Sequence, residues 1–400
     1  MADVSMCGFE RRTSVPDALG VLQEHAQALG AERVPVTEAA GRVAAAALIA
    51  TVDVPHFPRA MMDGYAVVAE STFGATEQAP HELAVNGEVR AGGDVRHLRV
   101  TPESVVRVTT GAEVPPGADA VLMAEDTRAL APRGGTERIA ITAPVAPSKH
   151  IGQIGEDIRK GDSLIVQGRR LRPQDAGVLA SAGVAQVDVV MKPRVHLLIT
   201  GDELLPPGEA PRGSQIADSN SVVLRALVER DGGLLHDTQH VQDDFAATRE
   251  ALEASRGDVV LVSGGASVGP EDHAPRVLDA IGTVLVHGVA MRPSSPAGFG
   301  FIPTADRKRL VFLLPGNPVS CLCAYEFFAG PIIRALGGRD WGWPHPVESM
   351  PAAAKFVSVL GRTDYTRVTV DERGATPLMT SGASILSSTT RADGFVIVPE

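Results

Sequence analysis

Hydroxyls, glycines and carboxylates follow directly behind an apolar run in Asp258-Val-Val-Leu-Val-Ser-Gly-Gly-Ala-Ser-Val-Gly-Pro-Glu-Asp272. Val259 to Val262 reads as a strand buried on both faces. Ser263, Gly264, Gly265 and Ser267 come next. Glycines let a backbone turn sharply and bring its N–H groups close to a ligand. At the carboxyl end of a parallel strand such a loop suits a phosphate or another oxyanion. Asp272 adds a carboxylate for a metal ion or a proton. The alternative is a plain strand-to-helix turn. Two more strands end in similar chemistry: Val195 to Ile199 in Thr200-Gly201-Asp202-Glu203, and Leu310 to Leu314 in Pro315-Gly316-Asn317-Pro318. Ligands of open α/β sheets sit where such strand ends converge.

Two other segments carry unusual chemistry. Pro55-His-Phe-Pro-Arg-Ala-Met-Met-Asp-Gly-Tyr-Ala-Val67 sets Asp63 between prolines and a strand, and Thr110-Gly111 puts a hydroxyl at a glycine turn. A hairpin turn at Asp63-Gly64 and a bulge at Thr110-Gly111 are the structural alternatives. Gly155-Glu-Asp-Ile-Arg-Lys-Gly161 is compatible with a solvated loop. Cys321 and Cys323 lie two apart in an apolar segment with no second pair to complete a zinc site, so they read as buried thiols.

These residues need elements to hold them. Strands and helices alternate from Arg194 to about Leu336, the sign of a mostly parallel sheet covered by helices. Asp218-Ser219-Asn220 offers N-cap side chains to a helix that stops near Gly232-Gly233. From Val52 to about Lys160, short β-branched runs alternate with Gly/Pro punctuation, a β-rich pattern. Residues 13 to 50 read as helical, including the Ala-rich stretch Glu38 to Ile49. Leu171 to Gly183 reads as one helix with Pro173 near its start. Trp341 to Pro346 reads as a linker. After it, Phe356 to Leu360, Tyr365 to Val370 and Phe395 to Val398 read as strands of a small β-barrel or sandwich.

The chain has 400 residues and a formal charge of −11. That charge argues against a nucleic-acid partner, and an anionic substrate would need local cations or N–H groups. No apolar run reaches the roughly 18 residues of a membrane span. The start of the chain lacks a signal-peptide pattern. Three cysteines (Cys7, Cys321, Cys323) are too few for a disulfide framework, so a reducing cytoplasm is expected.

Taken together the blocks resemble the molybdopterin molybdenumtransferase family and the homologous domain of gephyrin. The matching segments, in the family's order, are Met-Asp-Gly-Tyr-Ala-Val at 62–67, Thr-Gly-Ala at 110–112, Pro-Pro-Gly-Ala-Asp-Ala-Val at 115–121 and Gly-Glu-Asp at 155–157. Thr-Gly-Asp-Glu-Leu at 200–204, Asp-Ser-Asn at 218–220, Ser-Gly-Gly-Ala-Ser-Val-Gly at 263–269 and Leu-Pro-Gly-Asn-Pro-Val-Ser at 314–320 follow. The resemblance implies insertion of molybdenum from molybdate into adenylylated molybdopterin with release of AMP, assisted by Mg2+. It implies that Asp63, Thr110, Asp157, Glu203, Asp243 and Asp272 are catalytic, with Glu203 and Asp272 on the metal. Ser263, Gly264, Gly265, Ser267, Arg292, Ser294, Ser295, Pro315, Gly316, Asn317 and Pro318 would bind substrate.

The implied architecture is multidomain α/β plus β. Residues 10–50 and 162–191 would form a helical, linking region that includes part of an elongated dimer domain. Residues 51–161 would form a β-rich insertion, 192–340 a three-layer molybdopterin-binding α/β domain, and 345–400 a small β-barrel. A homodimer would share its cleft between the α/β domain of one subunit and the β-rich domain of the other. Transient contact with other cofactor-synthesis proteins is also implied. One segment departs: Met291-Arg-Pro-Ser-Ser-Pro296 replaces a Lys-Pro-Gly-Lys-Pro type stretch, and Gly288 stands where some members carry a further lysine. Arg292 is the one cation kept, which predicts a weakened oxyanion grip. A smaller departure is Arg59-Ala-Met, where a serine is usual nearby. Two other readings stand beside the enzyme: a pterin- or partner-binding scaffold without turnover, and an enzyme that handles tungstate.

Overall fold

The computed structural model describes residues 12–267, 269, 272–305 and 307–400; Cys7 and Val268 lie outside them. The chain divides into two compact units. One holds the chain up to Val34, Gly41–Ala45 and Asp188–Glu400; the other holds Pro35–Ala40 and Ala46–Val187.

The larger unit is built on a six-stranded mixed sheet. Its strand order is Leu234–Val241, Arg194–Thr200, Val259–Ser263, Lys308–Leu314, Gly298–Pro303, Thr283–His287. The first four run parallel and the last two are antiparallel to their neighbours. Val259–Ser263 is central and buried along its length, which explains its unbroken apolar sequence: both faces meet core. Val259 and Leu261 join one cluster with the helices Val15–Gln23 and Asn220–Arg230 and the long helical stretch after Pro318. Val260 and Val262 join another with Phe245–Ala254 and Ala274–Ile281. Each fully buried Val or Leu contributes about 1.5–3 kcal/mol. The edge strand Leu234–Val241 has a half-exposed face and a correspondingly polar sequence, Leu-Leu-His-Asp-Thr-Gln-His-Val.

The parallel strands all deliver their carboxyl ends to one edge, followed by the loops after Thr200, Ser263 and Leu314. Pro318–Ala324 leads through a π-helical turn at Tyr325–Ala329 into Gly330–Leu336. By length and composition Pro318–Leu336 could cross a membrane, yet its apolar window is 94% buried within the protein. It is a core helix. Cys321 and Cys323 lie inside it, buried as expected, and burial pushes both thiols up, Cys321 to about 12. The strands Thr363–Asp371, Gly374–Met379 and Gly394–Val398 form a further sheet, completed by the short strand Met291–Arg292.

In the smaller unit a six-stranded sheet carries Gly64–Val67 between Ser104–Val108 and Ala120–Met123. The expected helix near Pro173 spans Pro173–Ser181, with Gly183 beyond its end at φ +77°.

Two expectations fail. Residues 13 to 50 are not helical throughout: the helix ends at Gln23, a 3-10 turn covers Val36–Glu38, and the Ala-rich stretch after it is turn and extended chain. Gly41 turns at φ +81°, and Val43 and Ala45 then bond Val190 and Asp188 through their backbones. Long-range pairing overrides alanine's helix preference. Phe356 to Leu360 is not a strand. Val357, Val359 and Leu360 are exposed, and among the described residues the segment pairs with no strand.

Candidate functional site

In the α/β unit, three strand-end loops are drawn into contact. Gly264 stands at φ +101°, and a Cβ there would lie 2.4 Å from the Thr200 carbonyl oxygen. Only glycine allows the loop after Val259–Ser263 to lie so close to the end of Arg194–Thr200. Gly316 packs against Gly264 from the other side. The Gly264 N–H donates to the Leu314 carbonyl at 3.1 Å.

A buried amide locks the arrangement. Asn220 Nδ2 donates to Ser263 Oγ and to the Gly316 carbonyl, each at 2.9 Å. The Asn220 side chain therefore clamps two loops, while Asp218 takes over the helix start by accepting the Ser221 N–H at 3.0 Å. Ser263 is itself buried and lies 3.7 Å from the Cys321 sulfur. Its hydroxyl braces the loop. Asn317 Oδ1 accepts from Ser384 Oγ at 2.6 Å, and the Val319 N–H bonds the Ala383 carbonyl at 2.8 Å, so the second loop is pinned to the C-terminal part of the chain. Pro315 and Pro318 flank this loop, with Pro318 at the first turn of its helix.

Acids gather beside the clamp. The Asp243 N–H donates to Asp202 Oδ1 at 3.3 Å. Burial and the neighbouring charges of Asp202 and Glu203 lift the Asp243 carboxyl above the usual carboxylate range, partly offset by the Thr200 hydroxyl and His273. Gly265 faces the same group: a Cβ there would lie 3.6 Å from Asp243 Oδ1. Asp272 Oδ2 accepts the Gly269 N–H at 2.7 Å, two residues after Ser267. His287 Nε2 lies 3.0 Å from the Ala266 carbonyl, so this nitrogen carries the proton. Burial pushes the His287 pKa down, against the pull of the Ala266 carbonyl and Asp272.

Among the described residues no three His, Cys, Asp or Glu side chains form a ready-made metal cage. The donors at hand are carboxylate oxygens, the set a hard divalent cation takes together with water and phosphate. The crowding that raises Asp243 is a charge imbalance that such a cation would relieve.

Arg292 is engaged elsewhere. Its Nε and Nη2 bond the buried Asp364 at 3.0 and 2.5 Å, and Nη2 also reaches the Val357 carbonyl at 3.4 Å. The cation that the sequence offers to an oxyanion is instead tied to the C-terminal sheet. Ser294, at φ +85°, donates its hydroxyl to the Ser320 carbonyl, and the Ser295 hydroxyl is buried with no hydrogen-bond partner among the described residues.

In the smaller unit Asp63 and Thr110 meet. Asp63 Oδ1 accepts the Thr110 N–H at 2.6 Å and its hydroxyl at 2.9 Å. These bonds, the backbone one foremost, hold the exposed Asp63 carboxyl below its ordinary range. Asp157 is exposed on a nearby loop, while Arg59 bonds Glu156 at 2.8 Å. The sequence alone does not single out Asn220, Thr200, Asp202, His273 or His287 as site residues. The Asp-Ser-Asn block around Asn220 and the strand-end position of Thr200 were the available signals.

Known proteins match this chain along its length. Family models described as the MoeA N-terminal region (domain I and II), a probable molybdopterin binding domain and the MoeA C-terminal region (domain IV) match residues 13–183, 196–335 and 349–400. A relative called molybdopterin molybdenumtransferase 2, from Mycobacterium tuberculosis, is 35% identical, covering 91% of this chain and 89% of its own. Molybdopterin molybdenumtransferase of Haemophilus influenzae is 32% identical, covering 92% and 90%. The crystal structure of a molybdopterin biosynthesis MoeA protein from Pyrococcus horikoshii superposes with a TM-score of 0.78 at 34% identity, covering 98% of this chain and 95% of that one.

Proposed function

The chain belongs to the molybdopterin molybdenumtransferase family, and from that premise we propose that it inserts molybdenum from molybdate into adenylylated molybdopterin, releasing AMP. It is a transferase of molybdenum cofactor biosynthesis. The observation that carries the site assignment is the clamp of Asn220 on Ser263 and Gly316. It holds two glycine loops in one cradle beside Glu203, Asp243 and Asp272.

The backbone N–H groups of Gly265, Gly316 and Asn317 hold the pterin and its phosphates, while the Gly264 N–H ties its loop to the Leu314 carbonyl. Glu203 and Asp272 would hold Mg2+, which would supply charge neutralisation for the phosphoryl oxygens. Water cleaves the phosphorus–oxygen–phosphorus link, leaving AMP and the pterin monophosphate. Asp243 is suited to proton transfer, because its carboxyl is harder to ionise than an ordinary one. Asp63, fixed by Thr110, and Asp157 act from the β-rich unit of the partner subunit, so the working form is a homodimer. The same reading makes the α/β domain three-layered, the C-terminal sheet part of a small barrel, and the enzyme cytoplasmic. Contacts with other cofactor-synthesis proteins would be transient.

The test is AMP release from adenylylated molybdopterin by the purified protein. Release that requires both molybdate and Mg2+ supports the assignment. Tight pterin binding with no AMP under those conditions would leave a scaffold.

A further inference from the structure

We propose that Lys149 grips a phosphoryl oxyanion of the substrate from the β-rich unit, a role that rests on the function proposed above. The charge problem motivates it. Arg292, the one cation kept, is paired with the buried Asp364, and Arg59 is paired with Glu156, so a carboxylate offsets the charge of each.

Lys149 sits on a strained, firmly tied loop. Its neighbours Ser148 and His150 have φ of +62° and +59°, a region that side-chain-bearing residues rarely adopt. Such strain persists only where surrounding structure fixes it, and it clusters at functional sites. Here the fixing is visible. The Ser148 N–H bonds the Asp119 carbonyl at 2.7 Å, and the Lys149 carbonyl accepts the Val121 N–H at 3.1 Å. The His150 carbonyl accepts the Met61 N–H at 2.9 Å, and His150 Nδ1 lies 3.0 Å from the Val121 carbonyl.

The loop also lies beside the Asp63–Thr110 pair. Ala60 exchanges two backbone bonds, both 2.8 Å, with Gly111 and Ala112 on one side. On its other side Ala60 pairs with Ile151. Ala60 is thus bracketed by the Thr110 loop and the strand that follows Lys149, and Met61 is tied to His150, two residues before Asp63. Lys149 is exposed and has no carboxylate partner among the described residues. A lysine held at a fixed backbone position beside a fixed carboxylate and hydroxyl makes a site for a phosphate-bearing ligand, with Lys149 supplying the charge.

The probe is inorganic pyrophosphate with Mg2+, titrated calorimetrically into the full-length wild type, Lys149→Met and Lys149→Arg. Losing one charge-assisted hydrogen bond at a partly solvated site should weaken affinity about tenfold in Lys149→Met. Lys149→Arg should keep most of the affinity. In turnover, KM for adenylylated molybdopterin should rise by about the same factor while kcat changes little. Because the side chain is exposed, the unfolding midpoint should not move. Equal pyrophosphate affinity in wild type and Lys149→Met, or no binding by wild type, would overturn the proposal. Wild-type AMP release reports on the function separately. Lys149-dependent pyrophosphate binding without AMP release defeats the function and keeps the oxyanion site. AMP release with Lys149-independent binding does the reverse.

Discussion

Replacing Asn220 with alanine should disable the cradle while leaving the fold intact. The Asn220 amide makes two 2.9 Å bonds, to Ser263 Oγ and the Gly316 carbonyl, inside a buried pocket. Each neutral hydrogen bond is worth about 0.5–1.5 kcal/mol net, and an orphaned buried acceptor costs about 1–3 kcal/mol. Ser263 keeps its approach to Cys321, so the Gly316 carbonyl bears most of that penalty. The sum is about 2–6 kcal/mol, to be set against the ~5–15 kcal/mol stability of a typical domain. Turnover should suffer more. The loops after Ser263 and Leu314 would lose their shared anchor, and a misplacement of about 1 Å costs on the order of 100-fold in rate. The assay pairs urea unfolding with single-turnover AMP release. Asn220→Ala should stay folded at the assay temperature and release AMP about 100-fold more slowly. Ser263→Ala should lose less, because it removes one of the two anchors. Wild-type turnover in Asn220→Ala, with the stability loss observed, would refute the view that the clamp positions the site.

Four further outcomes follow from named contacts. Asp243 is harder to ionise folded than unfolded, so the native state binds more protons and stability falls as pH rises from the ordinary carboxylate range through the higher folded value. Asp243→Asn should therefore raise the unfolding midpoint at pH 7, with the gain vanishing as pH drops below that window, as a pH series of thermal melts would show. Mg2+ should stabilise wild type more than Asp272→Asn or Glu203→Gln, and both variants should lose Mg2+-dependent turnover with little change in melting, measured by calorimetry and AMP assay. Arg292→Ala should destabilise by about 3–5 kcal/mol by leaving Asp364 buried without its bidentate partner, with little effect on the molybdate needed for half-maximal turnover. Mixed dimers of Asp63→Ala and Asp272→Ala chains should recover AMP release that neither homodimer shows; verified heterodimers without recovery would argue against a shared cleft.

The parts of the fold that local sequence controls were legible. Val259 to Val262 reads as a doubly buried strand because it is one, with parallel partners on both sides. Pro173 and Gly183 bracket their helix for backbone reasons that need no tertiary context. The misread segments depend on distant partners. Val43 and Ala45 are extended because Val190 and Asp188 lie alongside them, which no alanine count reveals. Phe356 to Leu360 has strand composition but, among the described residues, no strand pairs with it. At the site, residue types were readable and assignments of partners were not. Asn220 looks like a helix cap and serves as a clamp between loops. Arg292 looks like an available cation and is held by Asp364, 72 residues away. Asp63 and Thr110 meet across 47 residues because the sheet folds one loop over the other.

The most direct test counts two products in one reaction: AMP released and molybdenum bound to pterin. Wild type should yield one molybdenum on the pterin for each AMP, only with molybdate and Mg2+ present, and Asp272→Asn should yield neither at a comparable rate. AMP formed without molybdenum uptake, or equal yields from Asp272→Asn, would contradict the placement of molybdenum transfer at the clamped strand-end cradle.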